Sequence, residues 1–282
     1  VMTERLADIR ARVEGMRQLG GVVNAMRGIA AARAQQARSQ LVAVDSYAAT
    51  IARAIGRVQM SAARRPVTAT RESKRQAVVV FCAEQGFAGA FSEHVLDSIR
   101  NLPPQSNLFL IGTRGRALAD ERGLLAGWYS AMPSQSLGIP KLADRICDAV
   151  YTRIAAGSLN SLDAVFAECH AGDAMSVVHR RLLPLAPSDL PHVSDGNVPL
   201  QNLPSETLLA TLTDDYLHAQ LCHSALHAFA AENEVRMRAM AAAHSHIEHK
   251  LVDLRANERL VRQEEITEEI IELVAGQTAQ RH

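Results

Sequence analysis

Stepping alternately three and four residues from Leu6 passes through Ile9, Val13, Met16, Gly20, Val23, Arg27, Ala30, Ala34, Ala37, Leu41, Val44, Ala48, Ile51, Ile55 and Val58. Only Gly20 and Arg27 interrupt this apolar seam, which has the a/d pattern of a coiled coil. At about 1.5 Å per residue such a helix is roughly 85 Å long, more than a core in a chain of this size could bury end to end. The same stepping from Leu209 gives Leu212, Tyr216, Ala219, His223, Leu226, Ala230, Asn233, Met237, Met240, His244, Ile247, Leu251, Leu254, Glu258 and Val261. Beyond Val261 the phase shifts to Ile266, Ile270 and Leu273, which reads as a stutter. With one compact unit between them, two such segments must run antiparallel against each other. The pattern predicts long helices near residues 5–58 and 209–274, with Ile266 and Ile270 turned toward Leu19 or Val23 of the first helix.

Between the seams the period changes. "AVVVFCAE" (77–84), "NLFLIG" (107–112), "LDAVFAEC" (162–169) and "MSVVHRRLLPL" (175–185) read as strands. "SEHVLDSIRNL", "GRALADERG" and "KLADRICDAVYTRIAAG" read as helices among them. Alternating strands and helices predict a small α/β domain with a largely parallel sheet, in which the strands beginning at Ala77, Asn107 and Leu162 share one sheet. Segments 60–75 and 186–204, rich in Pro, Ser, Thr and Arg, read as connections to the long helices. The expected division is therefore 1–65 and 205–282 as coiled-coil helices around an α/β domain at 66–204.

Composition agrees with helices more than with a sandwich, since aromatic residues make up only 4% of the 282 residues and alanine is abundant. The formal net charge is zero but unevenly placed. Residues 1–65 carry eleven arginines against four acids, whereas residues 205–282 carry seven bases against thirteen acids. Opposite charge on the two ends favours their pairing. The arginines lie all round the first helix and stacking aromatics are scarce, which argues against nucleic acid as a partner. No run of about eighteen apolar residues exists and the first residues are charged, so the chain is expected neither to insert in a membrane nor to enter the secretory path by itself. Cys82, Cys147, Cys169 and Cys222 form no C-x-x-C pair and read as reduced core thiols of a cytoplasmic protein.

Catalytic chemistry is hard to assemble. "QGFAGAF" (85–91) lies between a strand and a helix, where a phosphate loop would sit, but it lacks G-K-[ST] and reads as a tight turn that binds no nucleotide. His223 and His227 are spaced i,i+4, and "HSHIEH" places His244, His246, Glu248 and His249 near one another. Such spacing permits metal ligation, but H-E-x-x-H is absent and these histidines read as seam or solvated residues. No cofactor is expected.

Several stretches resemble a known family. "VVNAMRGIAAAR" (22–33) is similar to I-T-K-A-M-K-M-V-A-A-A-K, and "GFAGAFS" (86–92) to G-L-C-G-G-L-N. "ENEVRMRAMAAA" (232–243) is similar to S-E-H-x-x-R-M-x-A-M-x-x-A, "RRLLPL" (180–185) contains L-L-P, and "RQEEITEEIIELVAG" (262–276) resembles R-Q-A-x-I-T-x-E-I-x-E-I-V-x-G. These patterns, in this order over the whole chain, resemble the gamma subunit family of F-type ATP synthases. Asn24, Gly28 and Ala88 stand where the family has lysine, methionine and cysteine, which marks a divergent bacterial member and leaves the coupling ion open.

The resemblance implies a non-catalytic rotor shaft, peripheral at the cytoplasmic face of the bacterial plasma membrane. Its helices would project into a ring of alpha and beta subunits, and its α/β domain would bind epsilon and the membrane c-ring. It also implies that Met26, Arg27, Arg33, Arg262, Gln263 and Thr267 contact the alpha/beta ring. The residues alone leave two other readings open: a free-standing coiled-coil adaptor with an α/β head, and a nucleotide-binding enzyme using 85–91.

Overall fold

Two uninterrupted helices open and close the chain: α1, Met2–Ser61, of 60 residues, and a C-terminal helix, Ser205–Ala279, of 75 residues. The computed structural model describes residues 2–61, 75–103, 106–169, 175–185, 190–191 and 200–279. Most of both expected connecting segments, including 62–74 and 192–199, lies outside them. In chain order the elements between the helices are β1 (Gln76–Phe81), α2 (Phe91–Asp97), β2 (Asn107–Ile111), α3 (Thr113–Glu121), β3 (Trp128–Ser130), α4 (Ile139–Ala155), β4 (Ser161–Glu168) and β5 (Ser176–Leu183). The C-terminal helix is α5. The chain divides into two compact units, Val1–Ile29 with Met237–His282, and Ala30–Arg236.

In the first unit α1 and α5 run antiparallel. Arg10 Nε donates to Glu258 Oε1 at 3.0 Å, and a Cβ on Gly20 would meet Ile247 Cγ2 at 3.4 Å. Leu6, Ile9, Val13, Val23, Met240, Ile247, Leu251 and Val261 form the apolar seam between them. Each such side chain, once buried, stabilises by about 1.5–3 kcal/mol, so the seam and not the exposed ion pairs at about 0–1 kcal/mol holds the pair together. Two expectations fail here. Arg27 is exposed and Met26 takes the seam position in its place, because a four-residue step from Val23 would have put a guanidinium between the helices. Ile266 and Ile270 do not turn toward Leu19 or Val23: they are 51% and 56% exposed, and Leu273 is 71% exposed. With 258 opposite 10 and 247 opposite 20, residue 266 falls level with the first described residues of α1, and 270 and 273 have no described residue of α1 opposite them.

The second unit is built on one five-stranded sheet in the order β3-β2-β1-β4-β5. β1, β2, β3 and β4 pair in parallel and β5 runs antiparallel at the edge. The expected strands at Ala77, Asn107 and Leu162 are thus neighbours, while β3, only three residues long, escaped a period-based reading. Central β1 is continuously apolar because both its faces are covered. Val78 and Val80 pack with Phe91, Val95 and Leu96 of α2 and with Ala119 of α3. Val79 and Phe81 pack on the other face with Leu142 and Ile146 of α4 and with Leu221 and Phe229 of α5. Here α5 meets the sheet on one side and α1 on another, so residues 216–236 are buried nearly all round and no single apolar stripe marks them.

Between β2 and α3 two glycines permit a close crossing over the end of β1. Gly112 has φ +104°, and a Cβ on it would lie 2.5 Å from the Cys82 carbonyl oxygen and 2.7 Å from that of Ala83. A Cβ on Gly115 would overlap Cys82 Cβ and approach its Sγ to 2.8 Å. Overpacking of this kind costs about 1–3 kcal/mol. Gly115→Ala is therefore expected to lower the unfolding free energy of the full chain, measured by urea denaturation, by about 1–3 kcal/mol, and an unchanged value would show that β1 and α3 separate freely.

Candidate functional site

Glu232 and Arg236 bind the glycine turn at 85–91 to α5. Glu232 on α5 is 3% exposed, and its carboxylate accepts hydrogen bonds from the backbone N–H of Glu84 and of Gln85, both at 3.3 Å. Arg236, one helical turn on and 5% exposed, pairs with that carboxylate. The same guanidinium donates to the carbonyls of Gly86 at 3.1 Å and Gln85 at 3.2 Å, and to Asn233 Oδ1 at 3.1 Å. Burial pushes the Glu232 carboxyl up from its ordinary value, against the opposing pull of Arg236 and the two amides. In effect the turn is an anion-binding corner whose anion is a side chain of the same molecule.

Glu84, at the C-terminal end of β1, works on the opposite side of this corner. Its Oε2 accepts from the N–H of Thr113 at 3.0 Å and of Met132 at 2.8 Å, and its Oε1 from Thr113 Oγ1 at 2.6 Å. One carboxylate thereby satisfies the start of α3 and the chain after β3. The cavity at the turn, lined by Gly86, Phe87, Gly89, Ser92 and Arg114 among others, has a volume of about 160 Å³. That is below the roughly 300 Å³ at which small-molecule pockets begin.

The residues expected to contact a ring do not form one cluster. Met26 is half-buried in the seam of the first unit, Arg27 is exposed beside it, and half-buried Arg33 lies on the stretch of α1 in the second unit. Arg262, Gln263 and Thr267 are all exposed on α5, and Thr267 Oγ1 donates to the Gln263 carbonyl at 2.7 Å. By the antiparallel register Arg262 is level with Leu6, so within the first unit it stands about 30 Å along α1 from Arg27. Within the first unit Met26 and Arg27 thus stand apart from Arg262, Gln263 and Thr267.

The sequence also singled out two histidine groups. His246, Glu248 and His249 are exposed. His223 and His227, in contrast, lie against β4: His227 Nδ1 is 3.7 Å from Glu168 Oε1 and His223 Nδ1 is 2.7 Å from Asp45 Oδ1. Burial lowers the basicity of both rings, with His227 brought down to about 4, so both are neutral at neutral pH. Nothing in the sequence pointed to Glu168 as their neighbour. Of the four thiols, Cys82, Cys147 and Cys222 are free and buried, and burial pushes each up to about 12, which leaves them unreactive.

A family model described as ATP synthase matches residues 5–279. The ATP synthase gamma chain of Parafrankia sp. is 30% identical, over 99% of this chain and 98% of the relative. The chain belongs to the ATP synthase gamma-chain family. It is a non-catalytic subunit of that enzyme. The gamma chain of Flavobacterium psychrophilum is 27% identical over 97% of this chain. The fold is that of the mitochondrial ATP synthase of Euglena gracilis solved as OSCP/F1/c-ring, with a TM-score of 0.60 at 12% identity over 99% of this chain and 95% of that one. The central stalk and c-ring structure from Tetrahymena thermophila gives a TM-score of 0.55 at 15% identity over 79% of this chain and 99% of that one. Two of the stretches that resemble the family, 86–92 and 232–243, meet in space: the glutamate and arginine of the second hold the glycine turn of the first.

Proposed function

We infer that the chain is the central rotor shaft of an ATP synthase, which carries torque between a membrane c-ring and the catalytic beta subunits. The observation that carries this reading is the far end of α5. Past Val261, the last buried seam residue, the helix continues to Ala279 with Ile266, Ile270, Ile271 and Leu273 between 51% and 71% exposed. An apolar helix end left uncovered by the described residues calls for a partner. Inside, the seam makes the shaft stiff; outside, exposed contacts worth about 0–1 kcal/mol each exchange from one step to the next.

In this reading the helices at 1–65 and 205–282 enter a ring of alpha and beta subunits, and the α/β domain at 66–204 binds epsilon and the c-ring. Met26, Arg27, Arg33, Arg262, Gln263 and Thr267 are its contacts with the alpha/beta ring. Among the described residues no helix is long and apolar enough to cross a membrane. We place the chain on the cytoplasmic face of a bacterial plasma membrane, reached through its partners. The shaft acts by differential contact: each orientation favours a different conformation of the beta subunit it faces. The test is purification of the tagged full chain from its native cells. Recovery of alpha and beta subunits with ATPase activity supports the rotor; recovery of an unrelated protein without them would point to a coiled-coil adaptor instead.

A further inference from the structure

We propose that Glu168, His223 and His227 form a site for a divalent transition-metal ion of the zinc class, with Asp45 as the outer carboxylate that orients His223. One ligand atom from each of the three residues lies within 4.8 Å of the other two. They come from two elements packed together, the end of β4 and one turn of α5, so the fold brings them into contact across 55 or more residues of sequence. Two imidazoles and a carboxylate are the donor set that zinc prefers when one position is left for water or a fourth ligand. With metal–ligand bonds of about 2.0–2.2 Å, donors on one tetrahedral ion stand about 3.4 Å apart. The 3.7 Å between His227 Nδ1 and Glu168 Oε1 already approaches this, and small side-chain rotations close the rest.

An independent observation concerns His223. Its Nδ1 is engaged by Asp45 at 2.7 Å, while its Nε2 is buried with no hydrogen-bond partner. A ligating histidine characteristically donates its second ring N–H to a carboxylate, which fixes the tautomer and aims the other lone pair at the metal. The Asp45 contact does this and leaves Nε2 as the donor. The two rings lie 4.4 Å apart between centroids, and Phe166 of β4 packs against both, at 6.1 and 5.9 Å. Those contacts limit ring rotation and keep the pair aimed.

Arg180 is the opposing charge. Its guanidinium donates to Gln220 Oε1 at 3.1 Å and lies 5.7 Å from the Phe166 ring centroid. Against it stand the carboxylates of Glu168 and Asp45. A groove of about 490 Å³, lined by Asp45, Arg53, Arg180, Tyr216, Gln220 and His223, reaches the site and provides an entry path. A bound ion would tie β4 to α5 directly and to α1 through Asp45, stiffening the base of the helix pair within the second unit. This goes beyond the rotor reading and does not depend on it.

The measurement is zinc binding to the full chain, stripped with chelator and titrated in competition with a chromophoric zinc indicator, with circular dichroism as the check on folding. One equivalent bound at micromolar affinity or tighter is expected. Glu168→Gln and His227→Gln should each abolish the tight phase, and Asp45→Asn should weaken it by about 10- to 100-fold. His246→Gln with His249→Gln serves as the surface control and should change nothing. Cobalt should give the intense visible absorption of a four-coordinate ion, a signal that a merely structural histidine pair cannot produce. Absence of tight binding by the folded chain overturns the proposal. So does tight binding that survives in folded Glu168→Gln, and so does loss of binding only in the surface control. Should His227→Gln not fold, Glu168→Gln and the cobalt spectrum still decide the matter.

Discussion

Arg236→Ala is expected to lower the unfolding free energy of the full chain by about 3–5 kcal/mol, the usual penalty for removing one partner of a buried ion pair. The side chain is 5% exposed and makes four polar contacts, so its loss strands several groups together. The Glu232 carboxylate would keep only the amides of Glu84 and Gln85, and the carbonyls of Gln85 and Gly86 would lose a donor. Arg236→Lys should recover little of the deficit, since one ammonium cannot replace a planar fork reaching four acceptors. The pH dependence has a definite sign. Burial already raises the Glu232 pKa above its ordinary 4.5, and removing Arg236 raises it further. A carboxyl whose folded pKa lies above its unfolded value destabilises the fold as pH rises through the unfolded value, and is harmless below it. The deficit of Arg236→Ala should therefore be largest near neutral pH and shrink as pH falls toward 4.5. Urea unfolding at two pH values measures this, and a deficit under about 1 kcal/mol at neutral pH would mean that the turn is held by other contacts.

How much of this was legible in the sequence depended on how local each signal was. The seams were readable because burial on a helix recurs every three to four residues: Leu6, Ile9, Val13, Ala34, Leu41, Ile51 and Ile55 are all buried as the stepping required. Periodicity gave no warning of this, so Ile266, Ile270 and Leu273 looked like further seam although all three are exposed. It also assigned the seam to Arg27 where Met26 occupies it, one residue along, since a step of three and a step of four are equally helical. The glycine turn was visible between strand and helix. Its charged partner Glu232 lies 147 residues from Gln85, and no local pattern joins the two. Glu168 was hidden for the same reason, because β4 read only as a buried strand and its last residue carried no local pattern. Three-residue β3 was too short to show any period at all.

Arg262→Ala combined with Gln263→Ala is expected to lower the ATPase rate of the assembled complex by several-fold to about tenfold while leaving the melting of the isolated chain nearly unchanged. The structural half follows from exposure: both side chains are in solvent, and the local bond from Thr267 Oγ1, at 2.7 Å, goes to the backbone carbonyl of Gln263 and survives truncation of that side chain. Surface changes of this kind shift stability by about 0.5 kcal/mol or less. The functional half follows from the proposed ring contact. Gln263 and Thr267 share one helical face through their i,i+4 spacing, with Arg262 beside them, so a single partner loop could be bonded by all three. A charge-assisted hydrogen bond is worth about 1.5–3 kcal/mol, which corresponds to roughly 10- to 150-fold if felt entirely at the slow step. Because the shaft must exchange this contact among successive partners, part of that energy is present both before and after each step and cancels. The effect therefore belongs at the lower end of the range. The exposed Ile266 and Ile270 lie on the same stretch and would dock with it, so Ile270→Ala should deepen the loss, again without moving the melting temperature. A melting temperature that collapses in the double variant would make Arg262 and Gln263 structural residues, and an unchanged ATPase rate in the complex would remove them from the ring contact.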